Sequence, residues 1–130
     1  YYEAYYLRAQ RVRSLVVQDY RRVFAAGVDV LLSPVSPSPA YRFGDKTNDP
    51  IAMILDDIMT IPASLAGLPA LSVPCGHSQA GLPIGLQIVG PYLDETTVLR
   101  IGHAYQTATA HHTRLSPIAQ EVDRESVPIS

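Results

Sequence analysis

Apolar residues recur along the first part of the chain at Ala9, Val12, Val16, Tyr20 and Val23, in steps of three and four. That spacing predicts one long amphipathic helix from Tyr5, with Arg8, Arg11, Gln18 and Arg22 on the opposing side and Gly27 as a left-handed stop. The run over 29–32, rich in β-formers and bounded by Gly27 and Pro34, reads as a short buried strand. After it, Ser33-Pro34-Val35-Ser36-Pro37-Ser38-Pro39 cannot pair as a central strand because proline lacks the amide donor, so a rigid extended loop is expected. Asp49 followed by Pro50 marks a helix start, with Ile51, Ile54, Leu55 and Ile58 on one face behind it. Thr60 with Pro62 starts a second, brief helix that stops at Gly67.

Two strands are expected over 70–73 and 84–89, separated by a hairpin-like connection over 76–81. In the second, Ile84, Leu86 and Ile88 face one side and Gly85, Gln87 and Val89 the other, and a glycine facing a packed layer marks close approach by another backbone. Asp94-Glu95 opens a last helix in which Val98, Ile101, Tyr105 and Ala108 repeat at helical spacing, fraying near His111 and His112. No period follows Ser116, and the chain divides into a structured unit over 1–112 and an irregular tail over 113–130. The resulting order of helices and strands belongs to the mixed α/β class. Three or four strands are too few to close a sheet with faces this apolar. Neighbours in sequence beyond these residues, or a second copy, are expected to cover them.

Composition agrees. At 130 residues there is room for one modest domain, and 17% charged residues fall short of the roughly 25% of an average soluble domain, which implies surface buried against something else. A net charge of −2 argues against a strongly basic nucleic-acid binder. Eleven prolines and eight glycines interrupt the apolar runs before any reaches the ~20 residues of a membrane span. The single cysteine, Cys75, allows no internal disulfide and points to a reducing compartment, the cytoplasm. The opening residues show no signal-peptide pattern and read as the interior of a longer protein.

Few residues stand out as chemistry. Asp56 and Asp57 are adjacent on a helix, about 100° apart, and so cannot converge on one atom as a catalytic dyad does. On that helix Asp56 projects away from the core and Asp57 sits on its flank; spacing alone reads both as solvated acids. Cys75-Gly76-His77 is a weak nucleophile–base pair, and a free cysteine is ordinarily a buried packing residue. His103, His111 and His112 lack the i, i+4 spacing that shares a metal. Arg8, Arg11, Arg13, Arg21 and Arg22 are spread around more than one side of their helix and read as solvated or as a subunit contact. Gly81, Gly85 and Gly90 are spaced across a strand and form no phosphate cradle, and neither a Walker loop nor a G-x-S-x-G elbow is present.

Several strings together resemble one family. Tyr1-Tyr2-Glu3-Ala4-Tyr5-Tyr6, Asp49-Pro50, Asp57-Ile58-Met59-Thr60-Ile61-Pro62, Leu68-Pro69-Ala70-Leu71-Ser72-Val73-Pro74 and Gly81-Leu82-Pro83-Ile84-Gly85-Leu86-Gln87-Ile88-Val89-Gly90 run in the order of the C-terminal part of the amidase signature family. The first of them and the Asp-Pro helix look most like the glutaminase subunits of its tRNA-dependent amidotransferase branch. The resemblance implies a large mixed β-sheet flanked by helices, of which this segment supplies one end. It implies a parent that hydrolyses glutamine and passes ammonia to partner subunits, B and C, which use ATP and Mg²⁺ to amidate glutamate carried on tRNA. This chain would then meet the tRNA only indirectly. The family's Ser-Ser-Lys machinery lies in a Gly/Ser-rich signature absent here; Ser33, Ser36, Ser38 and Lys46 do not match it, so no catalytic, metal or cofactor site is expected in this chain. One residue carries over. The family's aspartate three positions before T-x-P is Asp57, before Thr60 and Pro62, and the resemblance makes it the group that receives the α-ammonium of glutamine. Two other readings stay open: an amidase of this family acting on a different amide, and a non-catalytic interaction module.

Overall fold

The computed structural model describes residues 2–46 and 48–116. A π-helical turn, Tyr2–Tyr6, leads into α1, Leu7–Ala25. Strand β1, Leu31–Pro34, follows, then two short helices, α2 (Pro50–Asp56) and α3 (Ile61–Ala66). Strands β2 (Ala70–His77) and β3 (Pro83–Val89) form a hairpin, and α4 (Glu95–Ala108) is followed by a 3-10 turn, His111–Thr113. The expected tail lies, from 117 onward, outside the described residues. No helix among the described residues is long and apolar enough to cross a membrane.

The helix boundaries follow from local chemistry. Asp49 accepts hydrogen bonds from the amides of Ile51 and Ala52, at 3.1 and 3.0 Å, and caps α2 with Pro50 in its first turn. Asp94 accepts from the Thr97 amide and does the same for α4. At the other ends, Gly27 (φ +92°) follows α1 and Gly67 (φ +69°) closes α3 in the left-handed region that a side chain disfavours.

The three strands form an antiparallel sheet in the order β1-β3-β2, so β3 is the central strand. Register pairs Ser33 with Gln87 and Ser72 with Gln87, which places these three polar residues in one row across one face. The opposite face is the core, where Val73 and Ile88 pack with Val98 of α4, surrounded by Val30, Leu71, Leu86, Ile101 and Tyr105. Helix α1 packs on α3.

Three expectations are corrected. β1 begins two residues later than predicted and runs through Pro34, into the stretch expected to be loop; Val35 N extends the pairing with a 3.1 Å bond to the Gly85 carbonyl. Proline is tolerated there because β1 is an edge strand among the described residues, paired only with β3. The hairpin strands extend further than predicted, and a register irregularity between Pro74 and Gly76 lets β2 run on to His77. Gly85 does meet a close neighbour, but it is a side chain, Val35, whose Cγ2 would lie 2.8 Å from an added Cβ.

The apolar stripe predicted on α1 is only half used: Val16, Tyr20 and Val23 are partly covered, whereas Val12 is 55% exposed. The shared face of α2 is open throughout, with Ile51 at 70% and Ile54 at 65% exposure. Contiguous apolar faces of this kind mark contact with other polypeptide. In light scattering, the isolated 130-residue chain is therefore expected to weigh as an oligomer; a well-behaved monomer would contradict this. A second prediction concerns Gly90, where an added Cβ would stand 2.4 Å from Cγ2 of buried Val98. Valine is stiff at χ1 and cannot step aside, so Gly90→Ala should lower stability by about 1–3 kcal/mol, read from the urea midpoint of the longer protein that carries this segment. An unchanged midpoint would show that the packing yields.

Candidate functional site

The turn between α2 and α3 concentrates the chemistry. Helix α2 stops at Asp57, whose backbone (φ −91°, ψ 0°) leaves the helical register. The Asp57 carbonyl then accepts from the amides of Thr60 and Ile61, each at 3.0 Å, and from the Thr60 hydroxyl at 3.2 Å. The D-x-x-T-x-P string thus folds into a tight knot: threonine closes the turn behind the aspartate and Pro62 stiffens the first turn of α3. The Asp57 side chain stands exposed on the outer lip of that knot and makes no ion pair among the described residues.

Asp56 behaves in the opposite way to its prediction. Instead of projecting into solvent, its carboxylate is largely covered and both oxygens lie 2.5 Å from Lys46 Nζ. Lys46 in turn sits 4.3 Å above the Tyr41 ring, a cation–π contact. The segment between β1 and α2 folds back over the helix and supplies a partner that α2's own periodicity could not reveal. Beneath this segment lies a groove of about 1030 Å³, walled by apolar side chains and floored by Ser72 and Gly85, with Asp56 and Met59 at its edge. Asp57 is one residue beyond that edge.

Gln87 connects the knot to the sheet, and sequence reasoning passed over it. Gln87 is 5% exposed, and its Nε2 donates to the Met59 carbonyl at 2.8 Å and to the Ser33 hydroxyl at 3.1 Å. The available signal was a long polar side chain in the middle of an otherwise apolar central strand.

The remaining candidates come apart. Cys75 is a free, half-buried thiol, and no hydrogen bond joins it to His77 among the described residues. Partial burial holds the His77 imidazole below its ordinary pKa, with the positive charges of Arg114 and His111 adding to the effect. Arg13 is a structural residue: its Nε donates to the Leu65 carbonyl at 2.7 Å, capping the C-terminal end of α3 where positive charge is favoured. Arg22 pairs with Asp19 one turn before it. Among the described residues no group of three His, Cys, Asp or Glu side chains could hold a metal ion.

Comparison with known proteins gives one consistent answer. The amidase family profile matches residues 1–99. The A-subunit of the glutamyl-tRNA(Gln) amidotransferase from Geobacter metallireducens is 55% identical over 118 residues, 91% of this chain and 24% of that protein. Its counterpart from Brevibacillus brevis is 54% identical over 114 residues, 88% of this chain and 23% of that protein. The chain thus spans about a quarter of the length of the curated relatives it matches. Among solved structures, the crystal structure of the glutamyl-tRNA(Gln) amidotransferase A-subunit from Thermotoga maritima superposes with a TM-score of 0.71 at 43% identity, covering 77% of this chain and 22% of that one. A 6-aminohexanoate cyclic dimer hydrolase superposes with a TM-score of 0.72 at 26% identity, covering 79% and 24%.

The two adjacent aspartates should separate experimentally. A surface ion pair contributes about 0–1 kcal/mol and breaking a fully buried one costs about 3–5 kcal/mol, so the largely covered Lys46–Asp56 pair should fall between, and Asp56→Asn should cost about 1–2 kcal/mol. It should also speed proteolysis within 36–48. Asp57→Asn should leave both quantities unchanged, because the carboxylate it replaces is exposed. Equal effects of the two substitutions would refute this division.

Proposed function

This chain belongs to the amidase family, and we propose that it is the C-terminal quarter of the glutaminase subunit of a tRNA-dependent amidotransferase, with Asp57 as its contribution to substrate recognition. In this reading the parent protein cleaves the side-chain amide of glutamine through an acyl-enzyme, using serine and lysine residues that lie outside the present sequence. Ammonia passes to partner subunits B and C, which use ATP and Mg²⁺ to convert glutamate carried on tRNA into glutamine. The complex works in the cytoplasm.

The observation that carries the proposal is the Asp57 knot. The backbone of Asp57 is held by two amides and a hydroxyl on its carbonyl, and its exposed carboxylate remains open to a ligand. The α-ammonium of an amino acid fits such a group, since a charge-assisted hydrogen bond is roughly twice as strong as a neutral one. The names of similar relatives support a glutamyl-tRNA(Gln) amidotransferase subunit, and glutamine is the amino acid proposed for this group. The basic group that would hold the α-carboxylate is expected elsewhere in the parent protein.

A second reading draws on the groove beside the knot. Its apolar walls suit a bulkier, less polar amide, of the kind named for the cyclic dimer hydrolase.

The test is kinetic. Hydrogen bonds to charged groups contribute about 1.5–3 kcal/mol, so Asp57→Asn in the complete complex should raise the glutamine KM by about 10–100-fold. With ammonium chloride as nitrogen source the amidation rate should be unchanged, because free ammonia bypasses glutamine recognition. An unaltered KM would remove Asp57 from the site; hydrolysis of apolar amides without a response to glutamine would favour the second reading.

A further inference from the structure

We propose that Gln87 is a positioning residue for substrate recognition: its buried carboxamide, holding the Met59 carbonyl and the Ser33 hydroxyl together, sets where the Asp57 carboxylate stands. This inference rests on the reading of Asp57 as the ammonium-binding group.

The geometry is specific to a carboxamide. A primary amide nitrogen carries two hydrogens, and here both are used, on acceptors from two different elements. A carbonyl oxygen cannot donate, so only the nitrogen end of the side chain can serve Met59. The second acceptor of that nitrogen, Ser33, lies opposite Gln87 in the β1–β3 register, so the anchor is set by backbone pairing of the sheet. Met59 is two residues from Asp57, inside the turn already closed onto the Asp57 carbonyl by Thr60 and Ile61. The knot is therefore stiff in itself, and Gln87 ties it to the central strand. A recognition group must be held within about 0.5 Å of its working position, which is the demand such a tether meets. Hydrophobic packing alone gives no such directional hold.

Positioning and simple packing are separated by a double-mutant cycle in the complete complex. Glutamine KM, kcat and the ammonium-driven rate are measured for Gln87→Leu, Ser33→Ala, Gln87→Glu, Asp57→Asn and the Gln87→Leu/Asp57→Asn double variant. Gln87→Leu should raise KM about tenfold with kcat and the ammonium-driven rate unchanged, and its effect should fall below about twofold once Asp57 is already Asn, since coupled residues are non-additive. Ser33→Ala should give part of that rise. In Gln87→Glu an ionised carboxylate cannot donate to Met59, so KM should be high in alkaline buffer and fall as the pH drops and protonation restores a donor.

An equal rise in KM with and without Asp57, or a loss of kcat and ammonium-driven rate with KM unmoved, would make Gln87 a packing residue and overturn the proposal. If Asp57→Asn alone leaves KM unaltered, the Asp57 reading fails and the positioning role falls with it. If Asp57→Asn raises KM and none of the Gln87 and Ser33 variants does, the positioning role alone falls. Should Gln87→Leu fail to fold, Ser33→Ala and the pH profile of Gln87→Glu decide by the same criteria.

Discussion

One buried carboxamide ties the central strand of the sheet to its edge strand and to the turn between α2 and α3. On one face of the sheet, aliphatic side chains of β2 and β3 meet α4 and hold by apolar burial. On the other, a row of polar residues would be costly to cover unless each found a partner, and Gln87 meets that demand by reaching the Met59 carbonyl and the Ser33 hydroxyl. A leucine there would bury as much apolar surface while leaving both acceptors without their donor. The bond to the Met59 carbonyl joins the 57–60 turn, and with it the segment that carries the one carboxylate that resemblance singles out, to the central strand.

A second constraint is what remains uncovered. Helix α2 turns Ile51, Ile54 and Leu55 outward, Ile58 in the turn after it is open as well, each at least half exposed, and α1 adds Val12 and Leu15. Burial of apolar area is the main favourable term in folding, and apolar faces left open in this way mark interaction surfaces. The low charge content and the match to about a quarter of each curated relative agree with this. Within that frame the Lys46–Asp56 pair does a local task, pinning the segment between β1 and α2 over the groove.

Local signals were legible in the sequence wherever the physics is local. The capping aspartate at 49 and the proline after it, the acidic pair at 94 and 95, and glycines at 27 and 67 marked helix ends that the structure reproduces, because each acts through atoms within a few residues. The family was legible too, through strings such as the one ending in Gly90 that resemble the amidase family, whose profile matches residues 1–99. Asp57 was found by its place in such a string.

Contacts between distant segments were not legible. Asp56 read as solvated because nothing on its own helix opposes it; the lysine that covers it lies ten residues away, at the end of a segment whose path periodicity does not encode. Pro34 read as loop because its strand's place at the sheet edge, where a missing amide donor does no harm, is a property of the whole sheet. Gln87 read as an ordinary strand position because its partners stand 28 and 54 residues away. Element type and termination were decided by neighbouring residues. The pairing of polar groups was decided only when the sheet brought remote atoms within reach, because a hydrogen bond requires both partners at about 3 Å and sequence order does not determine that distance.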